Sequence, residues 1–589
     1  MPAVRRGGPG EVGARTRSPR LAVSVLLIGL TSAAALAVAA GSAHAAGSTH
    51  ATGSAHATAR AGAAGVAAGW ARAGMVRAPG GPYLTDSLGR RLELHGVNLV
   101  AKCGGGAVPA PVPGTPCIGP AQGPGLAFVL SPTAVDPARR FTAADAATLA
   151  GLGFNTVRLG IIWEGLEPGP SDVGPNDPRY CAPHRRGTRF PSLGRADPYD
   201  PAVVRAYLAS TDTIIRLLAR AGLRVVIDMH SDVYGSAFSN AKGATPWNGD
   251  GAPLWATCTG GKRFVAAPGW GSGYDSRAVQ VAIHHFFANN VRADLLGQYA
   301  RVWQAVARHY RDDREVIGYE IYNEPDDFRS KHFGAELECD YGGRKHEPRS
   351  CAASQPQAPP DGLIGAIQQA DPNHVVFFQP SGATDFGGAE ELGISEPLRF
   401  DRLALAFHVY GSMTQQLHQT AIERRRTRTR QPGGPAWIMD EFGALHIGRP
   451  IAADVDSADA LNLSWTYWSA MQLDDPTGAD PVEGLLNQTT RRPYPAVAHA
   501  LAVPYPWATA GVPGRQSFDR RTRAFRYSWV PQPRRIRGPT EISIPSYTYP
   551  RGYSVQVTGG DIVSSPRAAV LLVAADPHQK RVSVLVRPA

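Results

Sequence analysis

Val316-Ile317-Gly318-Tyr319-Glu320-Ile321-Tyr322-Asn323-Glu324-Pro325 is a short apolar run that stops in a polar cluster. Such a run suits a strand buried on both faces, and a proline after it can neither donate to a sheet ladder nor start an ordinary continuation. The pattern predicts a strand over 316–322 that presents Asn323 and Glu324 at its C-terminal end. Segments of the same character recur at Leu92–Leu99, Asn155–Gly160, Leu223–Met229, His374–Phe378, Leu403–Val409, Ala436–Asp440 and Leu463–Trp468. Helical patterns stand between several of them, as at Pro201–Ala221 and Arg292–Arg311. Eight such strands alternating with helices predict an α/β fold, a closed TIM-type (β/α)8 barrel.

Working outward, the barrel is expected to fill residues 76–503. From residue 504 to 589 the character changes. Ala524–Val530, Thr540–Pro545, Tyr553–Val557, Ala569–Ala574 and Arg581–Val586 are strand-like, turn residues separate them, and no helical period appears. That predicts a small C-terminal β-sandwich, packed on the barrel or binding carbohydrate. At the other end, Arg5, Arg6, Arg15, Arg17 and Arg20 precede an apolar stretch, Leu21–Ala40, followed by the small-residue site Ala43-His44-Ala45. Residues 1–45 therefore read as an export signal and the protein as secreted. Residues 46–75 are rich in Ala, Gly, Ser, Thr and His, and Gly-Ser-Ala-His-Ala occurs at both 41–45 and 53–57, which predicts a disordered tether. Scattered His44, His50 and His56 are incidental to that composition.

A chain of 589 residues with 43% hydrophobic content can bury a large core and a second unit. Its net charge of +11 comes from arginine spread along the chain, so nucleic acid is not an expected partner. The densest basic run, Arg424 to Arg430, reads as the solvated face of a helix. Six cysteines in an exported chain are compatible with three disulfides. Sequence does not choose among the pairings; the local candidates are Cys103 with Cys117 and Cys339 with Cys351, which leaves Cys181 and Cys258. No Cys-x-x-Cys spacing supports zinc.

In a barrel of this kind the reactive groups lie at the C-terminal ends of the strands. Two of those ends carry a glutamate: Tyr322-Asn323-Glu324-Pro325, and Met439-Asp440-Glu441-Phe442-Gly443. Carboxylates on strands from opposite sides of a barrel can face each other across a sugar, as glycosidic cleavage requires. Glu320, four residues before Glu324, is expected deeper in the barrel as a paired carboxylate. Strand alternation predicts that Asp440 points away from Glu441. His284 and His285, beside Phe286 and Phe287, fit either a lipid-facing flap or a half-buried loop.

Asn-Glu-Pro closing the fourth strand and a glutamate closing the seventh resemble the barrel glycosidases that include glycoside hydrolase family 5. Further segments are similar to the bacterial, exported endoglycoceramidase branch of that family. They are Leu94-His95-Gly96-Val97-Asn98-Leu99 with Lys102, Asn155-Thr156-Val157-Arg158-Leu159, Asp228-Met229-His230-Ser231-Asp232-Val233-Tyr234, Gly251-Ala252-Pro253-Leu254-Trp255, Phe286-Phe287-Ala288-Asn289, and Ser464-Trp465-Thr466-Tyr467-Trp468.

Carried over to this chain, the resemblance implies Glu324 as acid/base and Glu441 as nucleophile. It places Asn323 on the sugar 2-hydroxyl and Trp468 against the sugar ring, with Lys102, His230 and Asp232 on hydroxyls of the same subsite. Arg158 and Tyr410 hold Glu441 ionised and aimed, and His408 contacts the sugar or its neighbours. The implied activity is retaining hydrolysis between a glycan and ceramide in glycosphingolipids, by a monomer that needs no metal or organic cofactor and touches a membrane or micelle transiently. The alternatives are the same chemistry on a galactosylceramide, a steryl glucoside or a β-glucan, and a catalytically silent glycan- or lipid-binding protein.

Overall fold

The computed structural model describes residues 64–100, 141–185, 188–240, 247–265, 270–327, 329–330, 333–343, 361–382, 398, 400–410, 434–444, 447–471, 483–487 and 490–589. Lys102, the 424–430 arginine run, Cys103, Cys117, Cys351 and the signal region lie outside them.

The first described element is a helix over 64–73, here α1. It departs from the disordered tether expected through residue 75. Val66, Trp70 and Ala73 are few, but they fall at i, i+4 and i+7, and all three are buried. The Trp70 indole donates to the Asn155 carbonyl at 2.9 Å. A Cβ at Gly69 would stand 1.8 Å from the Trp507 ring, so only glycine lets this helix sit so close.

Two short strands follow, β1 (Leu84–Thr85) and β2 (Arg91–Leu92). The barrel strands are then β3 (His95–Val100), β4 (Thr156–Ile162), β5 (Arg224–His230), β6 (Val316–Glu320), β7 (Val375–Phe378), β8 (Leu403–Val409), β9 (Ala436–Phe442) and β10 (Ser464–Tyr467). They pair in chain order, all parallel, and β10 closes on β3. The strand expected at Leu92–Leu99 is therefore two strands. Arg91–Leu92 pairs antiparallel with the C-terminal region while His95–Val100 enters the barrel. Between barrel strands run α2 (Ala143–Gly151), α3 (Pro201–Arg220), α4 (Leu295–Tyr310), α5 (Gly362–Ala370) and α6 (Gly448–Ala460), each burying an apolar face.

After the barrel come β11 (Tyr505–Thr509), β12 (Gly511–Asp519), β13 (Ala524–Pro531), β14 (Thr540–Ser543), β15 (Tyr553–Thr558), β16 (Gly560–Ile562), β17 (Val570–Ala575) and β18 (Val582–Pro588). They form two antiparallel sheets, β1-β2-β11-β14-β17-β16 and β12-β13-β18-β15. Phe525, Tyr527, Trp529, Val582, Val584 and Val586 from one sheet meet Ile542, Leu571 and Val573 from the other, which makes the sandwich core. A second apolar cluster joins Val226, Ile317, Phe377, Ala406 and Ile438 of the barrel strands to Trp70, Leu92, Tyr505 and Trp507. The floor of the barrel is thus stoppered by α1 and by the sheet that β1 and β2 extend.

Cys181 and Cys258 form a disulfide that spans 77 residues and ties the segment after β4 to the segment after β5. Cys339 is also disulfide-bonded. Among the described residues no helix is long and apolar enough to cross a membrane. His284 and His285 are half-buried on the helix Arg277–Phe287, where His284 contacts Asp327 at 2.7 Å, while Phe286 and Phe287 point into the core.

Candidate active site

The C-terminal ends of the barrel strands converge on Arg158, which rises from the middle of β4 and is 1% exposed. Its fork reaches carboxylates from four strand positions. Nε donates to Glu320 Oε2 at 2.7 Å and faces Asp440 Oδ2 at 3.3 Å. Nη1 donates to Glu441 Oε1 at 2.5 Å and Asn98 Oδ1 at 2.9 Å. Nη2 donates to Glu320 Oε1 at 2.9 Å and Asn323 Oδ1 at 2.8 Å, and lies 3.1 Å from Asp228 Oδ1. Burial works against this charge, yet Asp228, Glu320, Glu441 and Asp440 outweigh it and hold the guanidinium pKa well above its ordinary value.

Glu441 closes β9 with Arg158 on one oxygen and, on the other, Tyr410, whose hydroxyl donates to Oε2 at 3.0 Å. Burial, with the Glu441 and Glu324 charges nearby, pushes the Tyr410 phenol well up, so it remains a donor. Burial also raises the Glu441 carboxyl, against the pull of the Arg158 guanidinium.

Asp440 does not alternate away from Glu441. The β8–β9 register slips between Phe407 and His408, so that Met439 pairs with Phe407 but Glu441 with His408. Asp440 is the extra residue of a bulge, and a bulge turns two consecutive side chains to one side. Both carboxyl groups consequently meet the same guanidinium. Burial and the Glu320 charge push Asp440 well above its usual range, whereas Arg158 overcomes burial and pulls Glu320 below.

Glu324 follows β6 with φ +47, left-handed backbone that a β-unbranched glutamate adopts only when its surroundings impose it. Its N–H donates to Gln379 Oε1 at 2.8 Å, and its Oε1 meets His408 Nδ1 at 2.8 Å. His408 Nδ1 is also 3.4 Å from Glu441 Oε2. Carboxylate oxygens of Glu324 and Glu441 lie within 4.8 Å of each other and of that imidazole nitrogen.

Beside them Asn323 uses one amide hydrogen on the Ser231 carbonyl at 3.2 Å. His230 bonds Asp228 at 2.7 Å, reaches Asp232 at 3.4 Å and stacks on Trp468 with centroids 5.2 Å apart. Trp468 donates its indole N–H to Glu483 at 3.1 Å. The structure therefore gathers Arg158, His230, Asp232, Asn323, Glu324, His408, Tyr410, Glu441 and Trp468 at one end of the barrel. Asn98, Asp228, Gln379 and the Glu320–Asp440 pair belong to the same network; Glu320 is the deep, paired carboxylate expected from the sequence, whereas sequence reasoning assigned Asn98, Asp228 and Gln379 no part. Each occupies an inward strand position or follows a strand directly, which is the signal that could have found them. Among the described residues four groups of three could offer ligands to a cation: Glu93 with His95 and Asp459, His230 with Asp232 and Asp250, Glu320 with His408 and Asp440, and Glu324 with His408 and Glu441.

Residues 130–474, more than half of the chain, match the family model described as cellulase (glycosyl hydrolase family 5), and residues 504–586 match the glycoside hydrolase family 5 C-terminal domain. The chain is 25% identical over 517 residues to endoglycoceramidase I of Rhodococcus hoagii (strain 103S), covering 84% of this chain and 85% of that one. It is 25% identical over 492 residues to an endoglycoceramidase of Cyanea nozakii, covering 76% and 79%. Among solved structures it is similar to endo-glycoceramidase II from Rhodococcus sp. in its lactosyl-enzyme intermediate. There the TM-score is 0.60 at 25% identity, over 86% of this chain and 100% of that one.

Proposed function

The chain belongs to glycoside hydrolase family 5, and from that premise we propose that Glu324 is the acid/base and Glu441 the nucleophile of an enzyme that releases glycans from ceramide. The observation that carries the reading is that the two carboxylates face each other at the same end of the barrel, one oxygen of each within 4.8 Å of one of the other, which is compatible with the separation in a retaining pair. Retaining glycosidases hold their carboxyl groups about 5–5.5 Å apart, and inverting ones about 6.5–9.5 Å to admit a water. Glu324 gives its proton to the glycosidic oxygen while a Glu441 oxygen attacks the anomeric carbon. Water then loses a proton to Glu324 and attacks the glycosyl-enzyme from the side the aglycone left, so the configuration is retained.

The remaining roles follow from position. Arg158 and Tyr410 each occupy one Glu441 oxygen and keep the carboxylate from turning. The second amide hydrogen of Asn323 is available to the sugar 2-hydroxyl, a bond that strengthens as positive charge grows on the ring. Trp468 supplies an apolar platform, and His230 and Asp232 supply polar contacts; for Lys102 the same part rests on the family resemblance alone. Support for a ceramide aglycone comes from the relatives named endoglycoceramidase over most of both chains. A ceramide aglycone lies in a micelle or membrane, so transient contact with such a surface is part of the same proposal. We also propose export through the N-terminal signal and action as a monomer.

A panel of labelled glucosylceramide, lactosylceramide, galactosylceramide, steryl glucoside and cellohexaose tests the substrate. The expected result is fastest release from glycosylated ceramide. Preference for cellohexaose over every glycolipid overturns the aglycone assignment.

A further inference from the structure

Gln379 follows β7, on neither strand that carries a catalytic glutamate, and is fully buried. What it does rests on the reading of Glu324 as acid/base. Its partners fix which end of the amide is which. Oε1 accepts from the Glu324 backbone N–H, a group that only donates. Nε2 donates to Glu320 Oε1, a carboxylate that Arg158 keeps ionised. The same Nε2 stands 2.8 Å from His408 Nε2.

An amide nitrogen has hydrogens to give and no lone pair to offer, so His408 Nε2 has to accept. The ring proton then sits on Nδ1, where it donates to Glu324 Oε1 at 2.8 Å. We propose that Gln379 is a positioning residue for the reaction: it locks His408 in the Nδ1–H tautomer and thereby orients the Glu324 carboxyl. With Oε1 accepting from His408, the exchangeable proton of the acid resides on Oε2. The bond from Glu324 N–H to Gln379 Oε1 holds the left-handed backbone of the same residue. One side chain therefore sets both the main chain and the carboxyl orientation of the acid/base.

The test is Gln379→Met, close in volume and without a donor. Histidine-selective ¹⁵N NMR of the full-length protein, with His408→Gln to assign the signal, reads the tautomer directly. The expected result is a neutral Nδ1–H imidazole in the parent and loss of that signature in Gln379→Met. Turnover of glycosides with alkyl leaving groups should fall more than that of a dinitrophenyl glycoside, which needs little protonation. A parent His408 that is Nε2–H or doubly protonated overturns the proposal. So does a folded Gln379→Met in which the tautomer is unchanged and all substrates slow alike, because that describes a merely structural residue. Glu324→Gln is assayed beside it: full turnover there would sink the acid/base reading itself, while the NMR result judges Gln379 separately.

Discussion

One guanidinium serves Glu320, Glu441, Asn98 and Asn323 through separate N–H groups, with Asp228 and Asp440 close by. A lysine carries the same charge but presents a single compact ammonium, which cannot reproduce a planar fork. Arg158→Lys is expected to lower kcat by about 10²-fold or more while KM changes little, since the lost contacts aim the nucleophile rather than bind the glycolipid. Steady-state kinetics on purified, folded variant checks this; a rise in KM with unchanged kcat contradicts it. At this scale the two glutamates were legible because each ends an apolar run, where a barrel puts its chemistry. Gln379 ends a run as well, yet a lone glutamine has no titration or nucleophilicity to mark it. Its part emerges only when partners 59 and 29 residues away in sequence are brought to it.

Elements were read well from the period of apolar residues, and misread where a strand departs from regular geometry. The bulge at Asp440 leaves the composition of β9 unchanged, so alternation assigned that carboxyl to the wrong side. Glu167 is a residue that the sequence reading passed over. It caps the short helix Trp163–Leu166 that follows β4, and its Oε2 accepts from the Trp163 indole at 2.9 Å. Its Oε1 is buried with no hydrogen-bond partner, and burial pushes the carboxyl up to about 8. The unfolded chain ionises the group near 4.5, so between there and about 8 the unfolded state binds fewer protons than the folded one. Stability therefore falls as pH rises through that window and levels off above it. Glu167→Gln keeps the neutral shape and should remove this contribution. Parent and variant are expected to have equal stability in urea at pH 4. By pH 8 the variant should be more stable, by at most roughly 4 kcal/mol. A difference that does not change with pH contradicts the assignment.

At the scale of the whole molecule, the barrel was evident from eight apolar runs, and the sandwich from the loss of helical period after residue 503. What remained hidden was how the ends of the chain close the barrel floor. The run at Leu92–Leu99 is continuous in hydrophobicity, and only the pairing of Leu92 with Ala508 reveals that it is shared between two sheets. Likewise α1 carries few large apolar residues, but Trp70 packs edge-on to Trp507 and Gly69 lies against the same ring. Glu541 on β14 joins these parts. Both of its oxygens accept from Arg72, at 2.9 and 2.6 Å, and it also pairs with fully buried Arg90, which Asp86 holds from the other side at 2.7 Å. Glu541→Ala leaves the Arg90 charge buried with half its compensation, and is expected to cost about 3–5 kcal/mol with kinetic constants of the folded enzyme unchanged. Denaturant titration and assay of the same sample check both halves. Removal of residues after 503 should expose the apolar floor and make the protein insoluble.

The central claim is that Glu324 and Glu441 do different work on one retained centre, and chemical rescue followed by proton NMR of the anomeric signal tests it most directly. Glu441→Ala should be inactive on every substrate, and azide should restore turnover by attacking from the vacated side, giving a glycosyl azide of inverted configuration. Glu324→Ala should still form the glycosyl-enzyme from a dinitrophenyl glycoside, which azide then releases with net retention. The unmodified enzyme should give a first product with the configuration of its substrate. Inversion in that first product, or identical behaviour of the two variants towards azide, would contradict the account.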